Sequence, residues 1–296
     1  MSCNAPSASS GYVYDEAVSR NIGWVTLEEQ QRLQSAKVAI AGLGGVGGQH
    51  ALILARLGVG GFALADFDTF GVHNFNRQAG AFVSTVGQPK LAVMSRMLAD
   101  INPQARIAAF PQGVTSSNLR DFLAGADVYV DGLDFFELGI RRQVFAACRE
   151  LGVPAITAAP LGMGVSLLYF DPRGMSFEEY FRLEGCDRQE QYARFIAGLS
   201  PAMLQRTYLA DPAAVNFAER RGPSTPMACD LCAAMVGTAV LKLVLRRGHL
   251  HAAPRGLHFD AYRQRMVTTW RPFGNANPLQ RLLLRFIRPR LTMSAG

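Results

Sequence analysis

The stretch that decides the fold runs from Lys37 to Leu57 and reads KVAIAGLGGVGGQHALILARL. A short apolar run, residues 37–41, leads into a cluster of glycines, and apolar residues then recur at helical spacing. This order predicts a strand, a glycine turn and a helix. Because glycines let the backbone approach a phosphate at a helix N-terminus, the stretch predicts a nucleotide site.

A second apolar run, residues 62–65, ends on Asp66. That carboxylate lies a little over twenty residues beyond Gly42, where dinucleotide-binding folds place an acid that binds a ribose. The glycine turn and the acid together suit NAD, FAD or ATP equally well. The choice among them depends on residues further along the chain.

Strand-like and helical segments alternate from Lys37 onward. The strand-like runs cover residues 37–41, 62–66, 106–110, 127–131 and 154–158. Helical spacing covers residues near 47–57, 88–100, 117–124 and 138–151. The alternation predicts an α/β fold with a Rossmann-like, mostly parallel sheet and helices on both faces.

The pattern changes after Ala158, where we expect a C-terminal extension of hairpin and helix to complete a single body over residues 14–273. Outside the parallel sheet we predict a disordered tail at 1–13, a strand at 165–170, a flexible, lid-like insertion at 175–223, a buried helix at 229–247, a hairpin at 256–271 and a basic amphipathic tail at 274–296. In the arm before the first strand, Thr26 and Glu29 have the spacing of a helix capping box.

Composition narrows the class of protein. With 296 residues and 49% hydrophobic content, the chain can bury a sizeable core. A net charge of +7 suits an anionic partner but cannot distinguish nucleotide, acidic protein and RNA. Five scattered cysteines argue for a reducing, cytoplasmic compartment, and we expect neither a signal peptide nor a membrane span, since the most apolar helix is interrupted by Lys242.

Polar and cationic residues after Asp66 decide the nucleotide. They are Asp68, Asn74, Asn76, Arg77, Gln78 and Lys90. A hydride-transfer enzyme does not use such a series, whereas positioned cations stabilise the charge that develops when a triphosphate is cleaved. Asp134 follows a buried strand at the sheet edge where such folds bind ligands, and it could hold Mg²⁺.

The motifs GLGGVG, DFD, NFNRQ, VGQPK, DINP and DGLD occur in an order and spacing that resemble the ThiF, MoeB and HesA family, the activating enzymes of ubiquitin-like proteins and sulfur carriers. The resemblance is close over residues 14–165 and looser at 229–245. It implies an ATP-dependent adenylyltransferase that activates a carboxylate, most plausibly the C-terminal glycine of a small carrier protein, as an acyl adenylate with release of pyrophosphate. It also implies a homodimer.

The resemblance further assigns roles to individual residues. The nucleotide turn would be shaped by Gly42, Gly44, Gly45 and Gly47, and Asp66 would bind the ribose with Asp68 as a helper. The phosphates would be contacted by Asn74, Arg77 and Lys90, and Mg²⁺ would be ligated by Asp134. Arg20 would reach the partner subunit's ATP, and Cys186 is the candidate for a covalent thioester or persulfide. ATP and Mg²⁺ are therefore the expected cofactors. Structural zinc is not expected, because relatives use two Cys-x-x-Cys pairs and only Cys229 to Cys232 is present here.

Three alternatives stay open at this point. The same chemistry could act on a carboxylate of a modified tRNA, as in threonylcarbamoyladenosine dehydratases, and the basic charge suits that partner. The chain could also be a catalytically silent partner protein that keeps the fold. The third alternative, an NAD-dependent oxidoreductase, leaves the cations without a role.

Overall fold

The structure, a computed structural model, describes residues 11–214 and 222–292. The helices of these residues are α1 (Tyr14–Ala17), α2 (Leu27–Ser35), α3 (Gly45–Leu57), α4 (Lys90–Ile101), α5 (Leu119–Leu123), α6 (Leu138–Leu151), α7 (Phe177–Phe181), α8 (Arg188–Leu199), α9 (Pro226–Leu245) and α10 (Pro278–Thr292). The strands are β1 (Lys37–Ala41), β2 (Gly61–Ala65), β3 (Arg106–Phe110), β4 (Val128–Asp131), β5 (Ala155–Leu161), β6 (Gly164–Phe170), β7 (Arg255–Asp260) and β8 (Arg265–Trp270).

All eight strands form one sheet in the order β3-β2-β1-β4-β5-β6-β7-β8. Strands β1 to β5 are parallel, and β6, β7 and β8 continue the sheet as an antiparallel extension. The order reverses direction at β1, so β1 lies between β2 and β4, and this is the point at which open α/β sheets bind their ligands. The predicted α/β fold with a mostly parallel sheet is confirmed.

Helices cover both faces of this sheet, because the side chains of the strands point alternately to each face. Val38 and Ile40 face a core made with α3, α4 and α9. Ala39 and Ala41 face a second core made with α5, α6, α7 and α8. Both sets are fully buried, which accounts for the uninterrupted apolar run in β1.

Helix α9 begins at Pro226, three residues before the predicted start at 229, and ends at Leu245, two residues before the predicted end at 247. Its 20 residues are long and apolar enough to cross a membrane by length and composition alone, although half of its most apolar window is buried inside the protein. Val236 and Val240 pack into the core beneath the sheet. A core helix of this kind meets the same length and composition criteria as a membrane span.

The segment expected to be a flexible insertion begins with packed helices. Phe177, Tyr180 and Phe181 of α7 and Phe195 of α8 are buried in the second core. A segment that supplies buried aromatic side chains belongs to the body, so residues 177–199 are not a loose insertion. Movement of residues 200–223 as a lid stays a prediction, and residues 215–221 lie outside the described part of the chain.

The two ends of the described chain also contact the body. The Tyr12 hydroxyl donates to Asn102 Oδ1 at 3.1 Å, so the body begins before residue 14, while residues 1–10 of the predicted tail lie outside the described part. In the predicted amphipathic tail, α10 places Leu284 and Ile287 against Ala193 and Ala197 of α8. The Thr26–Glu29 capping box is present at the start of α2.

Candidate nucleotide-binding site

The glycine turn joins β1 to α3 and is closed too tightly for side chains. Gly42 has a φ of +82°, in the left-handed region that favours glycine. A Cβ on Gly47 would lie 1.8 Å from the Gly42 carbonyl oxygen, and one on Gly132, beyond β4, would lie 2.4 Å from it. The turn therefore packs backbone against backbone with the loop after β4, and no side chain caps the N-terminus of α3 in the described part of the chain.

Asp66 braces this turn from the end of β2. Its Oδ2 accepts from the Leu43 N–H at 2.6 Å, and its Oδ1 accepts from the Asp68 N–H at 2.8 Å. Burial raises the pKa of Asp66, although both hydrogen bonds and the charge of Lys90 act in the opposite direction. The carboxylate thus has two roles, since it fixes the turn and keeps lone pairs for a hydroxyl donor.

Lys90, the first residue of α4, lies beside Asp68. Its Nζ is 3.0 Å from Asp68 Oδ2, and its side chain is 8% exposed while that of Asp68 is 55% exposed. The Lys90 N–H also donates to the Asp68 carbonyl at 2.8 Å. The loop after β2 and the start of α4 therefore hold one buried ammonium group at this edge of the sheet.

The NFNRQ segment brings Arg77 to the glycine turn. The buried Asn74 accepts from the Gly71 N–H at 2.9 Å through its Oδ1, so its side chain shapes the loop. Arg77 donates from Nη1 to the carbonyl of His73 and to Asn76 Oδ1. Its Cγ and Cδ lie 3.5 Å from the point where a Cβ on Gly45 would stand.

Gln78 is a buried side chain whose carbonyl oxygen has no hydrogen-bond partner among the described residues. Its Nε2 lies 3.6 Å from the Cβ position of Gly44. Buried polar atoms are nearly always paired, so an unpaired oxygen beside the turn is what a site for a polar ligand presents. Together with the glycine turn that side chains would fill, it fits a nucleotide.

Asp134 follows β4 in an exposed loop on the other side of the turn. One carboxylate oxygen accepts from the Phe136 N–H at 2.9 Å. Mg²⁺ is commonly held by one or two carboxylates together with substrate phosphates, so a single Asp134 fits that mode. The described residues contain no group of three or more His, Cys, Asp or Glu side chains that could hold a metal ion by themselves.

The loop that carries Asp134 depends on Arg141, which sequence reasoning missed. Arg141 of α6 is buried, and its Nε donates to Asp131 Oδ2 at 2.8 Å. The guanidinium also donates to the carbonyls of Leu133 and Asp134, at 2.7 and 3.0 Å, and at 3.3 Å to that of Phe135. A signal was present in the sequence, since Arg141 lies on the apolar stripe of α6 that includes Leu138 and Phe145.

Two candidate residues are not joined to this cluster. Arg20 is exposed on a turn before α2, and its side chain makes no hydrogen bond or ion pair within the described chain. Cys186 lies between α7 and α8, where its thiol donates weakly to the Arg182 carbonyl at 3.7 Å. Neither side chain contacts Arg77, Lys90 or Asp134 by a hydrogen bond or ion pair in the described chain.

The remaining cysteine pair lies beside the site. Cys229 and Cys232 are buried in the first turns of α9, and Cys229 Sγ is 3.1 Å from the Cβ position of Gly45. Burial raises the pKa of both thiols. The two sulfurs supply half of the four ligands that a tetrahedral structural zinc site needs.

The turn between β1 and α3, with the acid behind it, is the arrangement of a Rossmann-like α/β fold. The family comparison makes the class specific: residues 18–282 match the model of the ThiF family, and the chain belongs to that family.

Curated relatives of two activities match about half of the chain. The chain is 37% identical over 148 residues to the sulfur carrier protein ThiS adenylyltransferase of Escherichia coli. The aligned region covers 50% of this chain and 58% of that protein. The chain is 36% identical over 141 residues to the tRNA threonylcarbamoyladenosine dehydratase of Bacillus subtilis, covering 47% and 55%. The chain thus spans little more than half the length of these relatives.

Solved structures support the fold over a larger share of the chain. PaaA superposes with a TM-score of 0.64 at 17% identity over 90% of this chain and 77% of that one. E. coli MccB with ATP gives 0.61 at 19% identity, covering 81% and 65%. The E. coli tRNA N6-threonylcarbamoyladenosine dehydratase with AMP gives 0.59 at 20%, covering 81% and 98%.

Proposed function

We propose that this protein is an ATP-dependent adenylyltransferase that activates a carboxylate as an acyl adenylate. One observation carries the proposal: the glycine turn, Asp66 and the Asp134 loop follow the carboxyl ends of β1, β2 and β4, where Arg77 lies against the turn and Lys90 pairs with Asp68. The buried Gln78 beside Gly44 keeps an oxygen without a partner among the described residues. An NAD-dependent reaction leaves Arg77 and Lys90 without a role. The curated adenylyltransferases among the relatives support the same chemistry.

In the proposed reaction a substrate carboxylate oxygen attacks the α-phosphorus of ATP. The bond between that phosphorus and the bridging oxygen to the β-phosphate breaks, and pyrophosphate leaves with the electron pair. Arg77 and Lys90 bind the phosphates and stabilise the charge that develops on them. Asp66 accepts a ribose hydroxyl, and Gly42, Gly44, Gly45 and Gly47 let the backbone approach the phosphates.

We assign the Mg²⁺ that accompanies ATP to the Asp134 carboxylate. The metal ion neutralises phosphate charge when it is bound. Asp134 has one oxygen engaged by the Phe136 N–H, which orients the carboxylate and leaves the second oxygen without a partner in the described chain.

We also propose a homodimer in which Arg20 contributes to the partner's site. Arg20 is exposed and unpaired within the described chain, so it is available to a second subunit. Large apolar side chains are exposed on the arm beside it and on the loops around the site. They include Trp24, Phe67, Val72, Phe82 and Val83. A second subunit that covered such side chains would remove their apolar surface from water.

The substrate we favour is the C-terminal glycine of a small ubiquitin-like or sulfur-carrier protein, in the cytoplasm. The reference experiment is exchange of labelled pyrophosphate into ATP, with Mg²⁺ and a carrier protein or peptide ending in Gly-Gly. We expect exchange that depends on the carboxylate and is lost in Lys90→Ala.

ATP binding without exchange, for carrier proteins, Gly-Gly peptides and modified tRNA alike, would support the silent partner instead. A thioester at Cys186, tested by Cys186→Ser, is not needed for this step.

A second candidate is activation of a carboxylate on a modified tRNA. Its support is the net charge of +7 and the exposed arginines of α10, including Arg281 and Arg285, together with the dehydratases among the relatives. Co-purification of tRNA, and ATP hydrolysis stimulated by tRNA carrying threonylcarbamoyladenosine, would favour this substrate over a carrier protein.

A further inference from the structure

The loop between β4 and α6 is held from behind by one guanidinium group. Arg141 is 3% exposed, and so is Asp131, its ion-pair partner at 2.8 Å. Asp131 in turn accepts from the Leu133 N–H and from the Tyr129 hydroxyl through its other oxygen, both at 3.3 Å. The carboxylate and the guanidinium therefore satisfy each other in a place that excludes water.

The same guanidinium donates hydrogen bonds to three consecutive backbone carbonyl groups. Leu133, Asp134 and Phe135 all direct their backbone oxygens to it, at 2.7 to 3.3 Å. Three successive carbonyls that accept from one side chain restrict the path of the loop, because each of these partly buried acceptors would lose its hydrogen bond if the loop moved. The geometry requires the planar fork of arginine, since a lysine offers one point charge.

The opposite side of this loop contacts the glycine turn. The carbonyl oxygen of Gly132 lies 2.3 Å from the Cβ position of Gly42, so the two backbones are in direct contact. A shift of residues 132–135 would therefore displace the glycine turn as well as the Asp134 carboxylate. On the far side of the guanidinium, the Phe195 ring of α8 lies 4.8 Å from its central carbon.

We propose that Arg141 is the positioning residue of the nucleotide site, and that its guanidinium sets both the Asp134 carboxylate and the spacing between the loop and the glycine turn. Arg141 acts through the backbone and does not touch the nucleotide. The inference rests on the proposed ATP site but not on the identity of the carboxylate substrate. It couples the Phe195 end of α8 to the site through one side chain.

The test compares Arg141→Lys with Arg142→Lys. Arg142 is the next residue of α6, and its Nε forms a half-exposed ion pair with Glu178 at 2.7 Å, away from the loop. ATP affinity is measured by calorimetry at low temperature, with and without Mg²⁺, alongside thermal unfolding. We expect Arg141→Lys to weaken Mg²⁺-dependent ATP binding by about 10- to 100-fold, the usual effect of removing a partner that orients a metal ligand. Arg142→Lys should leave it unchanged.

Hydrogen exchange provides a readout that needs neither nucleotide nor activity. Amides of residues 131–137 should exchange faster in Arg141→Lys and not in Arg142→Lys. If Arg141→Lys melts earlier but binds ATP and Mg²⁺ as the wild type does, Arg141 is a structural ion pair only and the inference is wrong. Wild-type protein that binds no ATP would instead contradict the proposed function. Should Arg141→Lys not fold, Arg141→Ala with added guanidinium ions, expected to restore ATP binding, takes its place.

Discussion

The two halves of the protein, on either side of the turn between β5 and β6, differ in the side chains that they bury. In the nucleotide half, residues 37–161, charged side chains such as Asp66, Lys90 and Asp131 are buried and paired with the backbone or one another. In the supporting half, residues 164–292, the core around α7 and α8 is rich in aromatic rings, and the ring centroids of Phe181 and Phe195 lie 5.0 Å apart. A carboxylate is buried in this half too, since Asp260 accepts from the Tyr208 hydroxyl at 2.6 Å. The first half keeps a polar site in fixed geometry, whereas the second gives it an apolar support.

The largest effect should come from a cation of the nucleotide half. Arg77→Ala should slow pyrophosphate exchange by about a hundred- to a thousand-fold, because one preorganised donor to developing charge contributes that much. Arg194→Ala is the matched change in the supporting half, where Arg194 pairs with Glu190 at 2.6 Å. If the two variants lost pyrophosphate exchange equally, the two halves would not differ in their contribution to the reaction.

A methyl group added in the glycine turn should come next in size. Gly47→Ala places a Cβ against the Gly42 carbonyl and should destabilise the protein by about 1–3 kcal/mol or more, with loss of ATP binding. Gly139→Ala is the control, because nothing lies within 4 Å of its Cβ position in α6. Thermal unfolding should show a slightly higher melting temperature for Gly139→Ala, because alanine stabilises a helix relative to glycine.

A cavity in the supporting half should lower stability without changing the site. Leu284 of α10 is buried against α8, so Leu284→Ala should destabilise by about 2 kcal/mol, at the lower end for a buried leucine. Urea unfolding measures the loss. ATP affinity of the folded protein should equal that of the wild type, and a parallel fall in affinity would show that α10 takes part in the site.

The sequence predicted the nucleotide half closely. Strands 37–41 and 106–110 and helix 138–151 begin and end where the structure has them. The reason is physical: fully buried parallel strands read as short apolar runs, and the turns between them carry glycine. Gly42 and Asp66 directly follow the ends of β1 and β2, so a linear motif places these two residues at one edge of the sheet, whereas Arg77 and Lys90 reach it through the long segment between β2 and α4.

The supporting half was harder to predict because its packing depends on contacts between side chains that no local sequence motif announces. Residues 177–199 looked loose, since their aromatic side chains show no strand pattern, yet Phe177 and Phe195 meet in the core across 18 residues. Arg141 was missed for a related reason. A charged residue on an apolar stripe has meaning only when its partner Asp131 and the loop carbonyls are known to lie opposite it.

The last effect appears only when the pH changes, and it compares one buried histidine from each half. His50 of α3 and His258 of β7 are buried, and their ring nitrogens lack hydrogen-bond partners in the described chain. Burial lowers the pKa of His50 to about 3 and that of His258 to about 4. The unfolded chain takes up protons near pH 6.5, so stability should fall as the pH drops below that value towards the folded pKa values.

For His50 alone the loss should be about 2 kcal/mol between pH 6.5 and 5, at about 1.4 kcal/mol per pH unit. His50→Leu should remove this share of the pH dependence and leave the share from His258. Urea unfolding at pH 7 and pH 5 measures the free energy of unfolding of the wild type and of the variant. An unchanged slope in His50→Leu would mean that His50 keeps its proton in the folded state, and the nucleotide half would then tolerate a buried cation beneath its glycine turn.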